Sequence, residues 1–226
     1  MKTIVKEQRE LLQEAANQIA GLLRGKPDAR IAMSAGRTML PLWDMLAETD
    51  FSEAFLFQTA EFVSAPEEKT LRHMMETELL PRAGFRPENC FWLTEDTLGD
   101  FDERIAQKGG LDLAILGIGD NAHIAFNEPA TPYDTRCRKQ RLTGKTRKQY
   151  SWLFGGEAAV PASAVTMGIH TLTDAGKIML LAFGEEKAQA VFDMLYARND
   201  SVIPAAFLQL PADVTVYADP EAAGKL

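Results

Sequence analysis

The chain has 226 residues, of which 46% are hydrophobic, and a formal net charge of −8 at pH 7. This length and apolar content predict one α/β domain with an ample core, spanning residues 1–226. The acidic balance disfavours a nucleic-acid or membrane-surface partner. Cys90 and Cys137 lie far apart without metal-ligand spacing, so we expect free thiols, no metal and no other cofactor. Since the N-terminus is too polar for a signal peptide and no apolar run could span a bilayer, the sequence predicts a cytoplasmic protein.

Strands and helices alternate along the sequence. Apolar side chains recur at helical spacing over residues 7–23, and a buried strand is predicted over 29–33. The helix predicted over 40–46 tolerates Pro41 only in its first turn. The remaining predicted elements are a strand over 54–59, a helix over 66–82, a short edge strand within 84–93, a helix over 98–108, strands over 111–116 and 177–183, helices over 185–196 and 203–210, and a strand over 214–218.

A polar cluster follows the buried strand at 111–116. The apolar run is typical of a strand covered on both faces of a parallel sheet, and it stops at Gly117-Ile118-Gly119, where backbone N–H groups can approach a ligand. Five polar side chains come next: Asp120, Asn121, His123, Asn127 and Glu128. Ligands of open α/β sheets bind beyond the carboxyl ends of the strands. The cluster is therefore a candidate proton-transfer site, although a hydrogen-bonded loop histidine would give the same pattern.

Two further segments have the chemistry of an anion site. The loop Ser34-Ala35-Gly36-Arg37-Thr38 lies between a strand and a helix, where loop amides favour anions, although most such loops only connect elements. Lys187 lies in the first turn of the predicted helix over 185–196, against the dipole preference. A bound phosphate would compensate for that cation; the alternative is an exposed lysine.

A basic run follows the polar cluster and is the one concentrated source of positive potential in this acidic sequence. We expect it to form a flexible lid over residues 130–160, although most charge runs are solvated surfaces. Its members are Arg136, Arg138, Lys139, Arg141, Lys145, Arg147 and Lys148.

The stretch GIGDNAHIAFNEP, residues 117–129, closely resembles the GxGxDGHIAFNEP motif of the glucosamine-6-phosphate deaminase and isomerase family, which is related to 6-phosphogluconolactonases. The resemblance runs from about residue 1 to 220. It implies a single-domain, three-layer α/β fold with a mainly parallel, Rossmann-like sheet flanked by helices. It also implies an aldose–ketose isomerase or deaminase whose partner is a small-molecule sugar phosphate, here a hexosamine 6-phosphate. Because family deaminases are often oligomeric, a homo-oligomer remains possible.

The resemblance also assigns roles. His123 takes the place of the family histidine that assists opening of the sugar ring, and Glu128 that of its glutamate, whereas Asn121 replaces an Asp. The expected catalytic residues are His123, Glu128, Asn121, Asp120 and Glu61. The expected substrate-binding residues are Ser34, Ala35, Gly36, Arg37, Thr38, Gly119, Ala122, Arg147 and Lys187.

Two departures from the family pattern bear on activity. Ala60 stands where the deaminases have the Asp implied to move a proton between C2 and C1, so Asp120 and Glu61 become the substitute candidates. In gap-free register a phosphate-binding arginine falls on Trp152, so that contact is either lost or moved, with Arg147 a candidate. Three hypotheses remain: a hexosamine-6-phosphate isomerase or deaminase with a rearranged base, a 6-phosphogluconolactonase-like hydrolase, and a non-catalytic sugar-phosphate binder.

Overall fold

The computed structural model describes residues 1–198, 202–211 and 213–226. Its strands are β1 (Lys2–Val5), β2 (Arg30–Met33), β3 (Phe55–Gln58), β4 (Ala60–Phe62), β5 (Cys90–Phe91), β6 (Leu113–Gly117), β7 (Arg138–Arg141), β8 (Ser163–Thr166), β9 (Ile178–Ala182) and β10 (Val214–Ala218). Its α-helices are α1 (Gln8–Gly25), α2 (Leu40–Met45), α3 (Leu71–Met74), α4 (Leu80–Ala83), α5 (Phe101–Gln107), α6 (Gly144–Gln149), α7 (Ser151–Phe154), α8 (Ile169–Thr173) and α9 (Ala188–Tyr196). None of the described helices is long and apolar enough to cross a membrane.

Seven strands form one parallel sheet in the order β1-β10-β9-β6-β2-β3-β5. The chain winds outward from β2 through β3 to β5, then returns to β6 and winds the other way. The topological switch point therefore lies between β2 and β6. Met33 is opposite Ile115, so these two strands deliver their following loops to the same edge of the sheet. That edge is where α/β proteins of this type bind ligands.

Alternate residues of the central strands supply two separate cores, because successive strand side chains point to opposite faces. Ile31 and Ile115 pack on one face with apolar residues of α1 and α2. Ala32 and Leu116 pack on the other face with residues of α5, α8 and α9. The predicted three-layer arrangement of a mainly parallel sheet between helices is confirmed.

A second, smaller sheet was not predicted from the sequence. It is antiparallel, with the order β4-β8-β7, and Thr166 of β8 is opposite both Ala60 and Arg138. Thus the strand predicted over 54–59 ends at Gln58, and residues 60–62 belong to another sheet. The segment 130–160 contains β7, α6 and α7. Its role as a lid stays a prediction.

Some element boundaries differ from the prediction. The helix predicted over 66–82 is interrupted, because Thr70 is extended and its side chain caps α3 by accepting a hydrogen bond from the His73 N–H. Helical backbone then continues through a π-turn, Met75–Leu79, into α4. The helix predicted over 203–210 is the 3₁₀-helix Pro204–Gln209, and edge strand β1 was not predicted.

At the edge opposite the switch-point loops, Asp112 joins β2 to β6. Its carboxylate accepts hydrogen bonds from the Arg30 backbone N–H (2.8 Å), the Arg30 Nη2 (2.6 Å) and Lys26 Nζ (2.8 Å). Burial opposes ionisation of Asp112, but these hydrogen bonds outweigh it and lower its pKa. This explains why a charged residue is tolerated next to a buried strand.

We predict that Asp112→Ala lowers the free energy of unfolding by about 2–3 kcal/mol, because it leaves the half-buried Arg30 guanidinium unpaired. Denaturant unfolding at pH 7 measures this loss. Since the pKa of Asp112 is lowered on folding, the difference from wild type should shrink as the pH falls below about 3.9. Glu95→Ala, which removes the exposed pair with Lys139, is the matched control and should have little effect.

Candidate active site

A cavity of about 380 Å³ opens at the switch point between β2 and β6, within the volume range of small-molecule sites. Its walls come from the loops that follow four neighbouring strands and from the helical segment around α6 and α7. The lining residues predicted from the sequence are Ser34, Ala35, Gly36, Arg37, Thr38, Gly119, Asp120, His123 and Lys187. Parallel strands thus bring together residues that are up to 153 positions apart, from 34 to 187.

His123 lines the cavity and forms a hydrogen-bonded relay with Asn121 and Glu128, which lie behind the cavity wall. Asn121 Nδ2 donates to Glu128 Oε2 (3.0 Å), and Asn121 Oδ1 lies 2.6 Å from His123 Nδ1. Because a carboxylate only accepts, the amide nitrogen faces Glu128 and the amide oxygen faces the imidazole. His123 Nδ1 therefore carries the proton, and Nε2 has the free lone pair. This tautomer can accept a proton from a ligand.

The imidazole of His123 is neutral at neutral pH. Only 3% of the residue is exposed, and this burial lowers its pKa below the ordinary 6.5, although the charge of Glu128 acts in the opposite direction. The positive charge of Lys187 lowers the pKa further. Asn121 carries no charge that would stabilise an imidazolium. His123 is thus available as a base at neutral pH.

Small residues shape the backbone of this loop. A Cβ at position 119 would overlap the imidazole ring of His123, so only glycine lets the backbone pass this close to the ring. Ala122 has φ 60°, in the left-handed region, where the related motif has Gly. Its side chain packs in the core behind the loop, and its carbonyl accepts from the Ala205 N–H. Ala122 thus shapes the loop and is not among the residues that line the cavity, and its contact with substrate stays a prediction.

Three of the described cationic residues line the cavity: Lys148 belongs to α6, whereas Arg37 and Lys187 come from two different segments that follow strands of the parallel sheet. Lys187 is only 6% exposed, and burial lowers its pKa. Arg37 lies with its guanidinium carbon 4.7 Å from the ring centre of Trp152. Within the described ranges 1–198, 202–211 and 213–226, neither side chain has a hydrogen-bond or ion-pair partner. Both remain available to an anion, and the prediction that Lys187 is more than an exposed surface lysine fits its burial.

Arg147 does not line the cavity. Its guanidinium donates to the backbone carbonyls of Val160 (3.2 Å) and Glu157 (3.0 Å) and so ties α6 to the following turn. All of these partners are local backbone groups, and the expected contact of Arg147 with a phosphate stays a prediction.

Glu61 is likewise a structural residue. Its carboxylate accepts hydrogen bonds from Gln58 Nε2 (2.9 Å) and from the N–H groups of Phe62 (2.8 Å), Leu71 (2.9 Å) and Arg72 (2.7 Å). Burial raises the pKa of Glu61, and these hydrogen bonds oppose that rise. With its oxygens satisfied and outside the cavity wall, Glu61 anchors the start of α3. It is not placed to act as the substitute base.

The cavity wall around Ala60 is apolar. Ala60 belongs to a cluster with Leu71, Phe126 and the partly buried Tyr150. Among the described residues, the carboxylates that line the cavity are Asp120 and Glu186. The lining residues outside the predicted list of site residues are Met39, Thr59, Ala60, Leu71, Gly117, Ile118, Ala125, Phe126, Lys148, Gln149, Tyr150, Trp152 and Glu186. Several of these belong to the motif at 117–129 or to the two departures at Ala60 and Trp152. The others come from segments distant in sequence, which no local pattern brings together.

The fold and the cavity define an α/β protein with a small-molecule site at a topological switch point, equipped with a histidine relay and unpaired cations. The family model described as glucosamine-6-phosphate isomerases/6-phosphogluconolactonase matches residues 6–217. The chain belongs to this family, as the GIGDNAHIAFNEP motif predicted.

Curated relatives and solved structures agree with this assignment. The chain is 33% identical to glucosamine-6-phosphate deaminase 2 of Giardia intestinalis, covering 99% of this chain and 90% of that protein. It is 34% identical to the glucosamine-6-phosphate deaminase of Bacillus velezensis, covering 95% of each. A structure described as a monomeric glucosamine-6-phosphate deaminase matches with a TM-score of 0.94 and 28% identity over the whole of both chains. The 6-phosphogluconolactonase of Thermotoga maritima shares the fold, with a TM-score of 0.75 and 22% identity over 96% of this chain and 98% of that one.

We predict that Asn121→Asp raises the pKa of His123 by about 1–3 units, because a carboxylate beside Nδ1 stabilises the imidazolium. The chain has three histidines, so NMR titration of the imidazole Cε1–H signals can follow His123 directly, with His123→Gln identifying its signal. At a fixed pH, the chemical shifts of His73 and His170 should be the same in wild type and variant, and these residues serve as internal controls. An unchanged His123 titration would show that Asn121 does not set its electrostatics.

Proposed function

We propose that this protein is a hexosamine-6-phosphate deaminase with an altered catalytic base, converting the aminoaldose phosphate and water into a ketose phosphate and ammonia. The observation that carries the proposal is the His123–Asn121–Glu128 relay, whose histidine lines the same cavity as the unpaired Lys187. Such a site offers a proton acceptor for the sugar ring and a cation for the phosphate. Its deaminase relatives, about one third identical along the chain, support the same chemistry.

In this proposal His123 opens the pyranose ring. Its neutral Nε2 takes the proton of the anomeric hydroxyl, and the imidazolium so formed gives this proton to the ring oxygen as the C1–O5 bond breaks. The Glu128 carboxylate acts through Asn121 by fixing the orientation of the imidazole. Thr143, the N-cap of α6, donates to Glu128 from its backbone N–H (2.8 Å), so the segment after β7 also supports the relay.

The proton transfer between C2 and C1 needs another group. The Ala60 methyl cannot accept a proton, and the oxygens of Glu61 are occupied. Of the two described carboxylate residues that line the cavity, Asp120 and Glu186, we propose Asp120 as the base, since it lies in the same loop as His123. The amine nitrogen leaves as ammonia once water has hydrolysed the imine formed by this proton transfer.

A non-catalytic sugar-phosphate binder is the second candidate. It is favoured by the apolar wall around Ala60, where Leu71 and Phe126 offer nothing that could accept a proton from C2. In that case the His123 relay and Lys187 would recognise the sugar phosphate without turning it over.

The test is an assay of ammonia release and ketose formation on glucosamine 6-phosphate and galactosamine 6-phosphate. Turnover by wild type supports the deaminase, and its loss in a folded His123→Ala variant assigns ring opening to this residue. Thermal stabilisation by the same compounds without turnover supports the binder. Hydrolysis of 6-phosphogluconolactone would favour a lactonase instead. An unfolded His123→Ala protein would point to a structural histidine, in which case His123→Gln replaces it in the assay.

We predict that Ala60→Asp raises the deaminase rate by about 10²-fold or more, since general-base catalysis contributes about 10²–10⁴-fold. The carboxylate would face the cavity from the start of β4. The ammonia assay at saturating substrate measures the gain. Ala60→Asn adds similar volume without a base and is the matched control. If both variants behave like wild type, the proton is transferred elsewhere in the site.

A further inference from the structure

The stacked pair Arg37 and Trp152 joins two parts of the cavity wall that the sequence keeps far apart. Arg37 lies in the loop after β2, whereas Trp152 lies in α7, within the segment 130–160. The guanidinium carbon is 4.7 Å from the centre of the indole ring, well inside the range of a cation–π contact. Both residues line the cavity that contains His123.

Two independent features make this pair suitable for binding an anion. Arg37 is exposed and has no acidic partner among the described residues, so its five N–H donors are free while one face of the guanidinium rests on the indole. A stacked arginine keeps its planar edge open for bidentate contact with phosphate oxygens. The second cation, Lys187, faces the same space.

Trp152 is itself held in place from behind. Its ring packs against the core cluster that contains α1 and α2 and also forms one wall of the groove beside Leu40 and Trp43. This packing holds the indole in its orientation, so the Arg37 guanidinium can stack on the ring. Arg147, the other arginine considered for this role, is occupied by backbone carbonyls.

We propose that Trp152 is a positioning residue that holds the Arg37 guanidinium against the phosphate group of the ligand. The cation that binds the phosphate then comes from the loop after β2, and the indole of α7 supports it. The inference rests on the proposed function only for the class of ligand, a phosphate ester. Turnover is not required, because the pair acts in binding.

The test is calorimetric titration with glucosamine 6-phosphate and with inorganic phosphate, using unphosphorylated glucosamine as the negative control. Arg37→Ala and Trp152→Ala should each weaken binding of both phosphate compounds by about 2- to 30-fold, the range that a cation–π contact supports. Trp152→Phe keeps an aromatic face and should stay within about threefold of wild type.

The double variant Arg37→Ala/Trp152→Ala separates positioning from a general structural role. If Trp152 acts through Arg37, the double variant binds no more weakly than Arg37→Ala alone, because the two losses are not additive. The proposal is overturned if the Trp152→Ala variant binds both phosphate compounds like wild type. It is also overturned if Trp152→Ala weakens binding by the same factor in wild type and in the Arg37→Ala background. It also fails if wild type binds neither phosphate compound. Binding with non-additive losses but without turnover would keep this inference and refute only the deaminase.

Discussion

The adjacency of β2 and β6 is the constraint on which the rest of the molecule depends. These parallel strands lie side by side with Met33 opposite Ile115, yet the chain winds away from them in opposite directions. The loops that follow cannot cover the edge between them, so a cavity remains. The backbone N–H of Ser34 donates to the Ile115 carbonyl and ties the two strand ends together (3.0 Å). Both the histidine relay and the Arg37 loop take their positions from this edge.

The electrostatics of the site follow from one neutral amide. Asn121 stands between Glu128 and His123, so its amide and not the carboxylate forms the hydrogen bond to the imidazole. The result is a buried, neutral histidine with a fixed tautomer. This arrangement suits the transfer of a proton to and from a sugar hydroxyl. It suits the stabilisation of a lasting positive charge much less, because Asn cannot supply the counter-charge that the Asp of the related motif would.

The departures from the family pattern are physically connected. Trp152 stands where gap-free register with the family predicts an arginine, and the Arg37 guanidinium stacks on its indole from the facing loop. In the proposed site, a cation is therefore supplied from another element. At the Ala60 position no such compensation exists nearby, because Leu71 and Phe126 surround the methyl group with apolar side chains. The proposed anion-binding group thus keeps its cation, whereas the wall around Ala60 offers no proton acceptor in place of the family Asp.

The sequence by itself determined the buried strands, the main helices and the local cluster of Asn121, His123 and Glu128, because hydrophobic period, glycine turns and short spacing are local properties. Only the tertiary structure decided the antiparallel sheet of β4, β8 and β7, the structural role of Glu61 and the pairing of Arg37 with Trp152. Each of these depends on contacts between residues distant in the chain, whose geometry is set by topology. The sequence does not reveal whether a carboxylate such as that of Glu61 will accept hydrogen bonds from four N–H donors of the protein or contact a substrate.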